Sequence, residues 1–149
     1  MRKIIIAMVA LIATIGVCAQ KPTTLPDSTL FKGYFYNNDY NIYLQLDAYR
    51  QNITVPGQDI YGEMPGYLGD TRDSRKWLFT SSKIINKSTL RLSVINDYGS
   101  EDLVATLTQK DDTTFVLKKE SGSTLKIARN GKWQKLPKQI SFYKRRPKK

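Results

Sequence analysis

The chain has 149 residues, long enough for one domain of ordinary size, and a net charge of +11. It contains no histidine and a single cysteine, Cys18. These absences exclude Ser-His-Asp and Cys-His catalysis, zinc bound by histidine, a disulfide within the chain and any imidazole pH switch. No motif combines the remaining carboxylates, lysines, tyrosines and hydroxyls into a reactive set, so we predict a non-enzymatic protein with no metal and no cofactor.

The first 19 residues have the pattern of an export signal. Two basic residues precede an apolar run over residues 4–17, and small residues up to Ala19 mark a signal peptidase site before Gln20. We therefore expect an exported protein, periplasmic or extracellular, with no transmembrane segment after the signal is removed. In an alternative, Cys18 is the lipidated first residue of a lipoprotein, but Val17 is a poor residue in front of a lipidated cysteine.

A polar leader, residues 20–29, precedes short segments in which apolar and polar residues alternate with period two, as in strands with one buried face. Turn-forming Asn, Asp and Gly residues separate these segments. The predicted strands are residues 31–36, 40–49, 52–55, 76–85, 88–95, 102–109, 113–118, 123–129 and 139–144. The Asn-Gly pair at 130–131 predicts a tight type I′ hairpin.

The short links between these strands determine the predicted architecture. We predict an all-β fold, an antiparallel meander β-barrel of about eight to ten strands without disulfides, as a single domain over residues 30–144 with a basic tail at 145–149. A two-sheet sandwich is the alternative, but sandwiches usually need some long crossovers. The residues predicted to face the interior are Phe31, Gly33, Phe35, Ile42, Leu44, Leu46, Leu90, Leu92, Val94, Leu103, Ala105, Leu107, Ile140 and Phe142.

Residues 30–37, Leu-Phe-Lys-Gly-Tyr-Phe-Tyr-Asn, are followed by a turn and an alternating strand. This segment resembles the opening strand of lipocalin-like and avidin-like β-barrels, which begin with Gly-x-Trp, followed in avidins by an Asn. Gly33, Phe35 and Asn37 occupy those places here, with Phe instead of Trp. The resemblance implies that Phe35 plugs the closed end of a barrel and that Asn37 faces a ligand. With two tryptophans in the chain, it implies the barrel rather than the tryptophan-lined biotin pocket.

Residues 56–73 break the alternation, because they contain four glycines and two prolines among aromatic and aliphatic residues. One hypothesis is a bulged strand over residues 58–63 followed by a surface loop. The other is a lid or recognition loop whose side chains contact a ligand or partner. In that case Tyr61, Met64 and Tyr67, with the asparagine of the opening strand, are the candidate ligand-binding residues.

The positive charge is concentrated near the end of the chain. Residues 118–149 include 12 basic residues and one acidic residue, whereas residues 20–117 carry slightly more acidic than basic residues. This region is either a solvated strand face with a tail or a patch for an anionic partner. The candidate contacts for such a partner are Lys126, Lys132, Lys135 and Lys138.

Four tyrosines lie close together in the first two predicted strands, among them Tyr34, Tyr36 and Tyr43. Aromatic residues at period two usually pack within a sheet. If their face is exposed to solvent, they would instead form a platform for sugars or for a protein partner.

These features support three functional hypotheses. The leading one is an exported, lipocalin-like binding module that holds a small apolar or amphipathic ligand in the open end of the barrel, rimmed by residues 56–73. The second is an exported inhibitor or immunity-type protein that blocks a protein partner with its loops and basic face. The third is a binder of anionic envelope polymers. We predict no specific nucleic-acid contact.

Overall fold

The computed structural model of the protein describes residues 29–97 and 100–146. The predicted signal with Cys18, the leader up to residue 28 and the last three residues of the basic tail lie outside the described residues. The strands are β1 (Lys32–Asn37), β2 (Ile42–Asp47), β3 (Ile53–Thr54), β4 (Glu63–Met64), β5 (Gly66–Asp70), β6 (Trp77–Asn86), β7 (Thr89–Asn96), β8 (Asp102–Gln109), β9 (Thr114–Gly122), β10 (Lys126–Arg129), β11 (Lys132–Lys135) and β12 (Gln139–Lys144). A 3₁₀ turn spans Asp59–Tyr61.

Eight of these strands close into an antiparallel barrel in the order β1-β2-β5-β6-β7-β8-β9-β12. The first and last strands pair directly, with Tyr36 opposite Tyr143. Two short hairpins, β3–β4 and β10–β11, are inserted into the connections. The predicted antiparallel meander barrel is confirmed, and the sandwich alternative is wrong. Among residues 29–97 and 100–146, no helix has the length and apolar character needed to cross a bilayer.

Side chains fill the interior of the barrel. All five phenylalanines of the chain are buried, each at most 1% exposed. Phe115 lies edge-to-face against Phe31 and Phe35, with ring centroids 6.2 and 4.9 Å apart. The period-two prediction of inward residues is confirmed on β2, β7, β8 and β12, where all the apolar side chains predicted to face inward are buried. An eight-stranded barrel is narrow enough to be filled in this way.

Lys144 closes one end of this interior, which we call the lysine end. The Lys144 ammonium group donates hydrogen bonds to the carbonyl oxygens of Thr29 and, at 3.0 Å, of Leu30. The same nitrogen lies 5.6 Å from the centroid of the Phe35 ring. These bonds connect the end of β12 to the residues that precede β1. They lie next to the fully buried ring of Phe35.

Strand β5 was not predicted from the sequence. Two of its five residues are glycines, so the segment shows no alternation of apolar and polar residues. A Cβ at Gly66 would collide with the carbonyl oxygen of Gln45, and a Cβ at Gly69 would collide with the ring of Tyr43. Glycine is therefore required where β2 and its side chains approach β5 closely. The predicted strands over residues 40–49 and 76–85 flank this missing one.

The rest of the irregular segment folds back over the outside of the barrel. The hypothesis of a bulged strand over residues 58–63 is wrong, because a 3₁₀ turn and the two-residue strand β4 occupy that stretch. Met64 and Val55 pack with the outward-facing side chains of Tyr67 and Leu78 in a second apolar cluster. This cluster fixes the long β2–β5 connection against the barrel wall.

We expect Lys144→Met to lower the free energy of unfolding by about 1–3 kcal/mol, because the variant keeps the apolar stem but loses charge-assisted hydrogen bonds to two carbonyl groups. Urea unfolding measures the effect. The matched control is Lys138→Met, which removes an exposed lysine and should change stability by less than about 0.5 kcal/mol. Equal stability of the two variants would contradict the role given to Lys144.

Alkaline pH provides a second test. Tyr43 stacks on Tyr34 with ring centroids 5.2 Å apart and meets Tyr67 edge-on. Burial, followed by the neighbouring Tyr67, raises the pKa of Tyr43 from 10.0 to about 12. Tyr43 therefore ionises at lower pH in the unfolded chain, and its contribution to stability is complete below pH 10 and lost as the pH rises through 12.

We expect Tyr43→Phe to lose less stability than the parent protein between these pH values, as measured by urea unfolding along a pH series. Tyr143→Phe is the control, since Tyr143 lies on the same outer face but is 43% exposed. A parallel decline of the parent and Tyr43→Phe proteins would show that the aromatic cluster does not shift this ionisation.

Candidate functional site

The connection between β9 and β12 contains the hairpin β10–β11, residues 126–135, which we call the capping hairpin. At its turn, residues 130 and 131 have φ values of 53° and 72°, as the predicted Asn-Gly hairpin requires. Leu125, Ile127 and Leu136 are at most 6% exposed and belong to the same cluster as the barrel interior. The capping hairpin therefore covers the end of the barrel opposite the lysine end.

Arg129 ties the capping hairpin to the barrel rim. Its guanidinium group binds both carboxylate oxygens of Asp70, at 2.6 and 3.0 Å, and donates to the carbonyl oxygen of Tyr40 at 2.6 Å. The Asp70 side chain is 3% exposed and that of Arg129 is 16% exposed. A bidentate pair in such a desolvated place fixes both groups in one geometry.

Two further contacts hold the start of the hairpin. The indole N–H of Trp77 donates to the carbonyl oxygen of Lys126 at 3.1 Å. The Lys126 ammonium group forms an ion pair with Glu101 at 2.8 Å. Lys126, predicted as a contact for an anionic partner, is thus already paired within the protein.

Between the capping hairpin and the connections that follow β5 and β7 lies a cavity of about 260 Å³, which we call the mouth pocket. Leu68, Trp77 and Ile127 form its apolar base, and all three side chains belong to the barrel core. Charged side chains surround the opening, among them Arg75 and Asp97. The pocket is therefore amphipathic, with an apolar base and a charged rim.

Trp133 forms an aromatic wall of the mouth pocket and is 53% exposed. The guanidinium carbon of Arg75 and the ammonium nitrogen of Lys126 lie 4.9 and 5.5 Å from the centroid of this ring. Cation–π contacts of this kind fix the orientation of an indole group that solvent would otherwise leave free. A large apolar surface is thus held in place and remains available to a ligand.

Most carboxylates around the pocket are paired with cations. Asp73 lies 3.3 Å from Arg75 in an ion pair. The exception is Asp97, of which one carboxylate oxygen accepts a hydrogen bond from the backbone N–H of Lys76 at 3.1 Å. Its other oxygen, Oδ1, is buried and has no hydrogen-bond partner among the described residues. Asp97 is therefore the carboxylate of the pocket lining that forms no ion pair with a described residue.

The four residues predicted to bind a ligand do not come together in this site. Asn37 lies 5% exposed at the end of β1, where its amide nitrogen donates to the carbonyl oxygen of Ser141 and its amide oxygen accepts the N–H of Tyr40, both at 2.8 Å. Met64 and Tyr67 are buried in the apolar cluster outside the barrel. Tyr61 is 38% exposed on the 3₁₀ turn of the β2–β5 connection. Their ligand-binding role stays a prediction.

The predicted basic residues separate into two groups. Lys126 is partly buried and paired with Glu101, and it lies directly opposite Lys135 in the hairpin. Lys132, Lys135 and Lys138 are exposed on the capping hairpin and the segment that follows it. Only these three present their charge outward.

The side chains that line the mouth pocket come from three separate segments of the chain, and sequence reasoning did not assign them to one site. Trp77 opens β6, Asp97 follows β7, and Trp133 lies in β11. The signal available in the sequence was Trp133 itself, because it is a large aromatic residue within a polar strand that follows the Asn-Gly turn. Within residues 29–97 and 100–146, no three acidic, histidine or cysteine side chains are arranged to hold a metal ion.

Comparisons with protein-family models, with curated proteins and with solved structures found no match to this chain.

We expect Arg129→Met to lower the free energy of unfolding by about 3–5 kcal/mol, because it leaves the Asp70 carboxylate buried without its partner. Urea unfolding measures the loss. Lys132→Met, on the same hairpin but exposed, is the control and should be nearly neutral. If both variants unfold at the same urea concentration, the ion pair between Arg129 and Asp70 does not hold the capping hairpin on the barrel.

Proposed function

We propose that this protein is a non-enzymatic binding module that holds a small amphipathic ligand in the mouth pocket. The observation that carries this proposal is an open cavity that joins an apolar base to a half-exposed tryptophan. Covering apolar surface stabilises a complex by about 25 cal/mol per Å². The base formed by Leu68 and Trp77, with the wall formed by Trp133, offers such a surface to a ring-shaped ligand.

The size and polarity of the pocket restrict the ligand. At about 260 Å³ the cavity is slightly smaller than the roughly 300–1,000 Å³ typical of sites for drug-sized molecules. A ligand of one ring system with a short polar substituent matches this volume. The Asp97 carboxylate in the lining favours a substituent that donates a hydrogen bond, such as an ammonium or hydroxyl group.

The charges around the pocket support binding rather than catalysis. Asp70 is held by Arg129, Asp73 by Arg75 and Glu101 by Lys126. An ion pair favours the charged form of a carboxylate, which disfavours the protonated form that a general acid needs. Among the carboxylates of the described lining, Asp97 alone forms no ion pair with a described residue, and we assign it a role in recognition.

The filled interior supports a ligand at the end of the barrel in preference to one inside it. Phenylalanine rings occupy the volume near the lysine end, and residues of the capping hairpin occupy the other end. If residues 1–19 direct export as their pattern predicts, the ligand would be met outside the cytoplasm.

The test uses three indole probes, which are indole itself, tryptamine and indole-3-propionate. We expect all three to raise the melting temperature, and tryptamine to do so most because its ammonium group reaches Asp97. A ligand at about 100 times its dissociation constant adds about 2.7 kcal/mol to the stability. Trp133→Ala should abolish the shifts, and Asp97→Asn should remove only the advantage of tryptamine.

Tyr61→Ala is the control for the site predicted from the sequence, because Tyr61 lies on the β2–β5 connection. It should leave the shifts unchanged. If Tyr61→Ala abolishes probe binding and Trp133→Ala does not, the ligand binds at the β2–β5 connection and the proposal for the mouth pocket fails.

A second candidate function is contact with a protein partner through the 3₁₀ turn. Ile60 is 93% exposed there, next to the partly exposed Tyr61. Together, Ile60 and Tyr61 present adjacent apolar surface on this turn, and contiguous exposed apolar surface marks sites of protein contact. Loss of a stoichiometric partner on Ile60→Ser, with indole binding intact, would favour this inhibitor-like function over ligand binding.

A further inference from the structure

A second cavity lies on the outer face of the barrel, along β1 and β12, and we call it the tyrosine groove. Its volume is about 550 Å³, and it shares no lining residue with the mouth pocket. Strand β1 lines the groove from Tyr34 to Asn37, which is about 10 Å of extended chain at 3.3 Å per residue. The lining continues past the end of the strand to Asn38 and Asn41. An open, elongated groove of this kind suits a short extended oligomer better than a compact small molecule.

Aromatic side chains form the floor of the groove. Tyr36 packs against Tyr143 with ring centroids 6.0 Å apart, and Tyr143 is 43% exposed. Tyr34 lies beside them, stacked on Tyr43. These rings offer edges, hydroxyl groups and, at Tyr143, exposed ring surface.

One end of the groove is cationic. The guanidinium carbon of Arg145 lies 5.1 Å from the centroid of the Tyr34 ring, and the backbone N–H of Arg145 donates to the Tyr34 carbonyl oxygen at 2.8 Å. Arg145 is therefore fixed by the sheet and is not part of a free tail. Arg146 lines the same end.

Apart from Lys144 and the apolar Ile42, the remaining lining is neutral and polar. The amide side chains of Asn38 and Asn41 and the hydroxyl group of Thr71 lie at the end nearer the capping hairpin. No aspartate or glutamate belongs to the described lining of the groove. Its electrostatic complement is thus an anion that also carries many hydrogen-bonding groups.

We propose that the tyrosine groove binds an anionic polysaccharide of the uronic acid type. The C–H faces of sugar rings pack on exposed aromatic surface, sugar hydroxyl groups bond amides and tyrosine hydroxyl groups, and guanidinium groups bind carboxylates in the bidentate geometry that arginine prefers. This site is independent of the mouth pocket, so either proposal stands without the other.

Single-stranded nucleic acid is the competing anionic polymer, and the geometry favours it less. Stacking of successive bases needs several free aromatic faces, whereas one exposed ring, that of Tyr143, serves a sugar whose hydroxyl groups bind the neighbouring amides. Tyr34 already contacts Tyr43 from β2 and Arg145 from the β12 side, and these strands flank β1 on opposite sides. Much of its ring surface is therefore already covered.

The test is isothermal titration of the protein with oligogalacturonate at low and physiological salt, with neutral galactan oligomers as the uncharged comparison. We expect oligogalacturonate to bind, more weakly as salt increases, and galactan to bind far less. The double variant Arg145→Gln/Arg146→Gln should reduce the affinity at least tenfold, and Tyr143→Ala several-fold. Urea unfolding of each variant verifies that it is folded.

The matched control is Lys132→Gln/Lys135→Gln, which removes two exposed charges from the capping hairpin. It should retain affinity within about twofold. An equal loss of affinity in this control would show that binding depends on the net positive charge of the protein and not on the groove. That result would overturn the proposal. So would absence of oligogalacturonate binding, or tighter, Tyr143-dependent binding of oligothymidylate.

Discussion

The rest of the structure depends on closure of eight strands around an interior that side chains fill. Closure requires β1 to pair with β2 on one side and with β12 on the other, and the Lys144 ammonium group reinforces it across the entry to β1. The five phenylalanines then occupy the enclosed volume. A ligand can therefore bind only at the rim or on the outer face of the barrel. The mouth pocket lies at the rim, and the tyrosine groove lies on the outer face.

The capping hairpin turns one end of the barrel into a site. It contributes apolar side chains to the core, and it places Trp133 beside the connections that follow β5 and β7. The ion pair between Arg129 and Asp70 fixes its position. Stability and recognition are therefore linked, because the same contacts that seal the barrel also form the walls of the mouth pocket.

Much of the fold could be predicted from the sequence, because period-two alternation and turn residues directly reflect a sheet with one buried face. Strand β5 could not be predicted, because Gly66 and Gly69 allow β2 to approach closely and glycines contribute nothing to an alternation of apolar and polar residues. The pocket could not either, because its residues are far apart in the chain and meet only when the barrel closes. Likewise, the basic composition did not reveal that Lys126 is paired with Glu101.

The mouth pocket requires the capping hairpin to be docked on the barrel in solution. Hydrogen–deuterium exchange of the amides in residues 126–136 tests this docking most directly. The N–H of Leu136 donates to the Leu125 carbonyl oxygen at 2.8 Å, and we expect this amide and those of the hairpin pairs to exchange as slowly as amides of the barrel strands. Exchange at the rate of an unstructured peptide, while β1 and β12 stay protected, would mean that the hairpin is undocked and the mouth pocket does not exist.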